Sequence, residues 1–157
     1  MDYEALLAES DTAGLVVKEK PLRYNDGRIN GNKIAIRRDI ETSTEKACVL
    51  AEELGHYHTS VGRILDLSDS WSNKMELHAR YWAHNHLIGL IGIVKCFKAG
   101  CQTLSEMADT LDVTEEFLQE ALERYRQKYG VYTILDNYII YFEPYLAVVE
   151  MLSGGTN

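Results

Sequence analysis

An α+β fold is what this 157-residue sequence predicts, on three observations. β-branched segments sit between turn residues ahead of position 41, helix-spaced segments opened by threonines run from 42 to 129, and a Tyr/Ile alternation split by Asp136-Asn137 follows. In order along the chain, residues 2–9 read as a short helix. Gly14 to Leu22 has strand character, and Pro21 ends it or confines it to an edge, because proline cannot donate to a ladder. Asn25-Asp26-Gly27 and Asn30-Gly31-Asn32 are turn material, and Lys33 to Ile40 alternates well enough for a second strand. A small antiparallel sheet is therefore expected ahead of the first long helix.

That helix opens at Thr42-Ser43-Thr44-Glu45, a spacing in which the Thr42 hydroxyl accepts from a first-turn N–H while Glu45 reaches back. It is expected to end near Tyr57. Ala47, Leu50, Ala51 and Leu54 recur at helical spacing and face a core, which leaves Glu52 and Glu53 either solvated or functional. A second helix covers Asn73 to Leu87, and a more apolar one covers Leu87 to Phe97, stopped by Ala99-Gly100. Thr103-Leu104-Ser105-Glu106 repeats the capping spacing and starts a short helix to Leu111. Val113-Thr114 leads into a longer amphipathic one, closed after Tyr129 by Gly130. Val131 to Leu135 and Tyr138 to Phe142 flank Asp136-Asn137 as a terminal hairpin. Residues 98–157, a helix-turn-helix-like segment with that hairpin, are expected to pack on a core of residues 1–97 as one unit. Disorder is expected in the Ser153-Gly154-Gly155-Thr156-Asn157 tail.

Sixteen basic against twenty-four acidic residues give a net charge of −8, which repels phosphate backbones and anionic lipid surfaces alike. Any nucleic-acid role would need a local basic patch. The helix-turn-helix-like stretch from Gln102 to Gly130 does not supply one: it carries seven acids and three bases, with Glu115 and Glu116 where a recognition helix would read base edges. Direct nucleic-acid binding by it is not expected. No apolar run approaches the roughly 18 residues of a bilayer span, and Met1-Asp2-Tyr3-Glu4 has no signal-peptide character, so no membrane role and a cytoplasmic location are expected. The three cysteines, Cys48, Cys96 and Cys101, form no Cys-x-x-Cys pair and read as buried free thiols.

The chemistry concentrates in Ala51-Glu52-Glu53-Leu54-Gly55-His56, which has the frame of the metallopeptidase helix motif His-Glu-x-x-His with glutamate in the first position. Positions four apart project from one helix face, so Glu52 and His56 can share a cation. Glu53 lies at the flank, where a carboxylate can take a proton from water. In the glutamate-using class of such metallopeptidases the third ligand comes from a following helix about twenty residues on; here that residue is Glu76, and small Ala79 and Ala83 permit that helix to approach closely. Without Glu76, two solvated glutamates and a partly buried histidine would be the better explanation of the segment. Glu53-Leu54-Gly55-His56 also fits the Glu-x-x-His element of di-iron bundles, but the second such element that design needs does not occur. His58, two residues from His56, points elsewhere. His78, His84 and His86 read as surface or interface histidines, with His78 the first to check because it shares a helix with Glu76.

The run Lys46-Ala47-Cys48-Val49-Leu50-Ala51-Glu52-Glu53-Leu54-Gly55-His56-Tyr57, followed by Glu76-Leu77-His78-Ala79-Arg80-Tyr81-Trp82-Ala83, resembles the ImmA/IrrE family of metallo-endopeptidases, in particular its prophage and mobile-element versions. The resemblance implies a zincin-like motif helix under the small sheet, and cleavage of a cytosolic helix-turn-helix repressor of phage type as the protein substrate. Zinc is the expected ion. Two carboxylates with one imidazole make the site harder than the usual two-histidine set, which makes Mn²⁺ the alternative. The extra carboxylate also leaves less positive charge to acidify a bound water. A non-catalytic regulator that binds its repressor without cutting it is the rival reading. For a peptidase, strand Lys33–Ile40 would offer an edge to which an extended substrate adds.

Overall fold

The computed structural model describes the backbone of residues 1–60 and 69–152, and side chains within those stretches except at 69–72. The expected disorder of the Ser153–Asn157 tail lies outside the described residues. The fold is α+β. Helix α1 (Tyr3–Thr12) is capped by Asp2, whose carboxylate accepts from the Ala5 N–H at 2.8 Å. Strands β1 (Val16–Lys20), β2 (Gly27–Asn30) and β3 (Lys33–Arg37) form one sheet in the order β1-β3-β2.

That sheet is mixed rather than antiparallel, a correction to the sequence expectation: β3 runs parallel to β1 and antiparallel to β2. The reason is β2, four residues enclosed by turn residues on both sides and too short to show alternation. Asn30 pairs with Lys33 across a two-residue loop in which Gly31 takes φ +62°. This tight hairpin returns the chain between β2 and β1. The strand following it thus occupies the sheet centre with both edges paired, and β3 cannot offer the free edge expected of it; β2 and β1 are the outer strands. Val17, Ile29, Ile34 and Ile36 face the core, while Val16, Lys18, Lys20, Arg28 and Lys33 face outward.

Helix α2 (Ser43–Ser60) begins as its capping residue dictates, with the Glu45 N–H donating to Thr42 Oγ1 at 3.1 Å. It runs past the expected end at Tyr57, and in its last described turn the Thr59 and Ser60 hydroxyls donate back to the carbonyls of Gly55 and His56. Helix α3 (Asp69–Leu87) crosses α2 with Gly55 directly over Ala79, so closely that any β-carbon at 55 would overlap the Ala79 carbonyl. Ala79 and Ala83 are fully buried at this crossing, which is the close approach their size allows. Helices α4 (Gly89–Lys98), α5 (Leu104–Leu111) and α6 (Glu115–Tyr129) follow. Thr103 and Thr114 cap the last two, each accepting at 3.1 Å, and Gly130 ends α6 at φ +76°.

Strands β4 (Tyr132–Leu135) and β5 (Tyr138–Tyr141) make the expected hairpin around Asp136-Asn137, and β6 (Ala147–Glu150) extends it to three antiparallel strands. β6 went unread because Ala147-Val148-Val149-Glu150 is short and follows Pro144 and Tyr145 without alternation. One apolar core runs from Leu6 through Ile36, Leu50 and Leu54 to Leu118, Tyr125 and Ile140. Among the described residues, no helix is long and apolar enough to cross a membrane.

Candidate metal centre

The crossing of α2 over α3 brings His56 and Glu76 together. Their Nε2 and Oε2 atoms stand 3.0 Å apart, although twenty residues separate them in the chain. The other carboxylate oxygen of Glu76 accepts from Arg80 Nε at 3.2 Å, one helical turn further on. Glu76 is therefore oriented from both sides: Arg80 fixes one oxygen and leaves the other to His56.

Glu52 and Glu53 lie largely out of solvent on the same stretch of α2. Desolvation pushes the Glu52 carboxyl up to about 7; the positive charge of Arg80 opposes this, and the charges of Glu120, Glu76 and Asp26 reinforce it. Glu53 is also pushed up to about 7, first by desolvation and then by the neighbouring charges of Glu52 and Glu76. Strand β2 covers it: a β-carbon at Gly27 would sit 2.9 Å from Cγ and Oε1 of Glu53. A glycine in this edge strand is what lets the strand lie against the carboxylate.

Among the described residues, no three His, Cys, Asp or Glu side chains are gathered into a group able to hold a metal. His56 and Glu76 converge; Glu52 is not brought to the same point. The chemistry of the donors still suits a divalent cation, with an imidazole nitrogen and a carboxylate oxygen in contact and two desolvated carboxylates alongside.

The other histidines divide in an unexpected way. His84, expected at a surface or interface, is only 3% exposed, and among the described residues neither of its ring nitrogens has a hydrogen-bond partner. Glu120 stands near it, with Oε2 at 3.8 Å, and Phe117 meets the ring edge-on. Burial lowers its pKa to about 4, helped by the charges of Arg80 and Arg124. The sequence could not reveal this, because position 84 is shielded by α6, whose packing on α3 leaves no local signal. His58 and His86 sandwich Trp82, and His86 pairs with Glu9 at 2.8 Å, tying α3 to α1. His78 is exposed and lines a groove of about 770 Å³ with Tyr81, Trp82 and Lys128, a groove that His56 does not line. Arg80 and Gly27 were missed in the sequence. Arg80 had a usable signal, its four-residue spacing from Glu76, whereas Gly27 had none.

No curated protein and no solved structure matches the chain. The sequence profile of the IrrE N-terminal-like domain, Peptidase_M78, matches residues 11–123, well over half of its length and all of the α2–α3 crossing. The chain therefore belongs to the IrrE N-terminal-like peptidase family, and its function is of metallopeptidase type.

Proposed function

We propose that this protein is a metal-dependent endopeptidase of a prophage or mobile element that cleaves a helix-turn-helix repressor in the cytosol. The observation that carries the reading is the 3.0 Å contact between His56 and Glu76 from separate helices, beside the desolvated Glu53. Glu52, His56 and Glu76 would hold the ion, zinc by preference and Mn²⁺ as the alternative. When bound, a divalent cation supplies Lewis acidity, polarising a carbonyl and acidifying a water.

The chain's own groups do the rest. Glu53 takes the proton of the attacking water and passes it to the departing amine, a double duty for a carboxyl that strand β2 holds largely out of solvent. Arg80 keeps Glu76 turned toward His56. With β3 in the sheet centre, the strand that can take an added substrate strand beside Glu53 is β2. The test is Glu53→Gln: retained zinc with lost cleavage of a repressor substrate is expected, and retained cleavage would remove Glu53 as the base.

A second reading, a regulator that binds its partner without cutting it, is favoured by one observation: Glu52 is not gathered with His56 and Glu76. Metal analysis of protein purified without chelator, beside a Glu52→His variant, separates the two. Stoichiometric metal in the native protein supports the peptidase. Metal in the variant alone supports the regulator.

A further inference from the structure

The outer face of the first sheet is basic on an otherwise acidic molecule. In the register of its strands, Lys18 of β1 and Arg28 of β2 flank Ala35 of β3, while Lys33 and Lys20 lie on the adjoining rows. All four cations are exposed. Among the described residues none of them is in an ion pair, whereas Arg37 is held by Asp26 and Asp39, and Lys46 by Glu19. Four uncompensated positive charges stand on one small face of a chain of net charge −8. Between them runs a groove of about 340 Å³ floored by apolar groups of Val16, Leu22 and Ala35.

This face continues to the outer edge of β2, which pairs with no further strand among the described residues. A strand added there alternates its side chains: those level with Gly27 and Ile29 turn inward toward Glu53 and the core, and those level with Arg28 turn outward onto the basic face. Strands are spaced by about 4.8 Å, so an outward side chain lies next to Arg28, roughly two strands from Lys33, and further from Lys18. We propose that the segment of protein substrate gripped at β2 is extended and carries acidic residues at its outward positions, received first by Arg28 and then by Lys33 and Lys18. This deepens, and rests on, the peptidase reading, since Glu53 marks β2 as the relevant edge. A protein segment suits this edge better than a sugar-phosphate backbone, because the residues alternating with the acidic ones turn inward toward Ile29 and the apolar core, and the rest of the chain repels polyanions.

The test uses fluorescein-labelled peptides of alternating Val-Glu, Val-Gln and Val-Lys, with oligodeoxythymidine alongside, bound to the full-length Glu53→Gln protein at low salt and read by anisotropy. The Val-Glu peptide is expected to bind about fivefold tighter than Val-Gln, the size of a good exposed ion pair. Arg28→Glu removes that preference, Arg28→Gln reduces it, and Lys18→Glu reduces it less. Lys98→Glu, exposed on α4, leaves it unchanged. No binding of Val-Glu overturns the proposal, as does a preference that survives both Arg28 variants with the far-ultraviolet spectrum intact, or tighter Arg28-dependent binding of the oligonucleotide. Cleavage by the zinc-loaded native protein is scored separately. Acidic preference without cleavage of any peptide sinks the peptidase and keeps the surface; cleavage indifferent to acidic residues does the reverse.

Discussion

The α2–α3 crossing and the α3–α6 contact each hold a histidine beside a glutamate, and the two pairs behave differently. At the first, His56 meets Glu76 at 3.0 Å with both side chains partly open to solvent. At the second, His84 is sealed away, and Glu120 stands at 3.8 Å, too far for a hydrogen bond. Residue type does not distinguish them; the approach of the helices does. Gly55 over Ala79 lets α2 and α3 come together until donors on each can touch, while α6 covers His84 with apolar Phe117 and, among the described residues, no partner for its nitrogens. The first pair brings an imidazole nitrogen and a carboxylate oxygen from separate helices into contact. The second is a source of pH-dependent stability.

The sharpest way to break this contrast acts on the first junction. Glu53→Gln should lower kcat for a repressor substrate by about 10²–10⁴-fold, as loss of a general base does, while thermal unfolding of the metal-free protein does not fall below native. The second junction predicts a pH effect. Because the His84 pKa falls from 6.5 to about 4 on folding, the unfolded chain binds the proton first, so stability present above 6.5 is lost as pH drops toward 4. The loss approaches about 3 kcal/mol for a shift of this size, and His84→Leu should remove it in urea titrations across that range. Glu52 and Glu53 carry the opposite sign. Raised on folding from 4.5 to about 7, they cost the metal-free protein stability as pH climbs through that window, and Glu52→Gln should flatten part of the slope.

Smaller effects test the crossing itself. Gly55→Ala forces a methyl group into the Ala79 carbonyl and should destabilise by about 2 kcal/mol in chemical denaturation, despite alanine's better helix propensity. Arg80→Gln removes the guanidinium from Glu76 at a partly exposed position. It should cost less than about 1 kcal/mol of stability while weakening metal affinity measurably in a chelator competition.

Local signals in the sequence carried much of this. The capping residues Thr42, Thr103 and Thr114 and the closing Gly130 mark helix ends where the structure has them, because each satisfies end groups by contacts within a few residues. Glu76 was legible as a partner of His56 from spacing and from the small residues Ala79 and Ala83. What failed was non-local. The parallel pairing of β1 with β3 depends on where the β2 hairpin returns the chain, and strands of four residues give too little alternation to announce themselves. The burial of His84 depends on a helix thirty-odd residues away, and the position of Glu53 under Gly27 depends on the sheet's docking on α2. Helix faces can be read from period alone; which element covers them cannot.

The central claim is that His56 and Glu76 act together on one ion, and the most direct measurement is calorimetric titration of Zn²⁺ into chelator-treated protein. One equivalent bound by the native chain, and lost in both His56→Ala and Glu76→Gln while their circular dichroism stays native, is the predicted result. Zinc that fails to bind, or binds equally well to both variants, would contradict it.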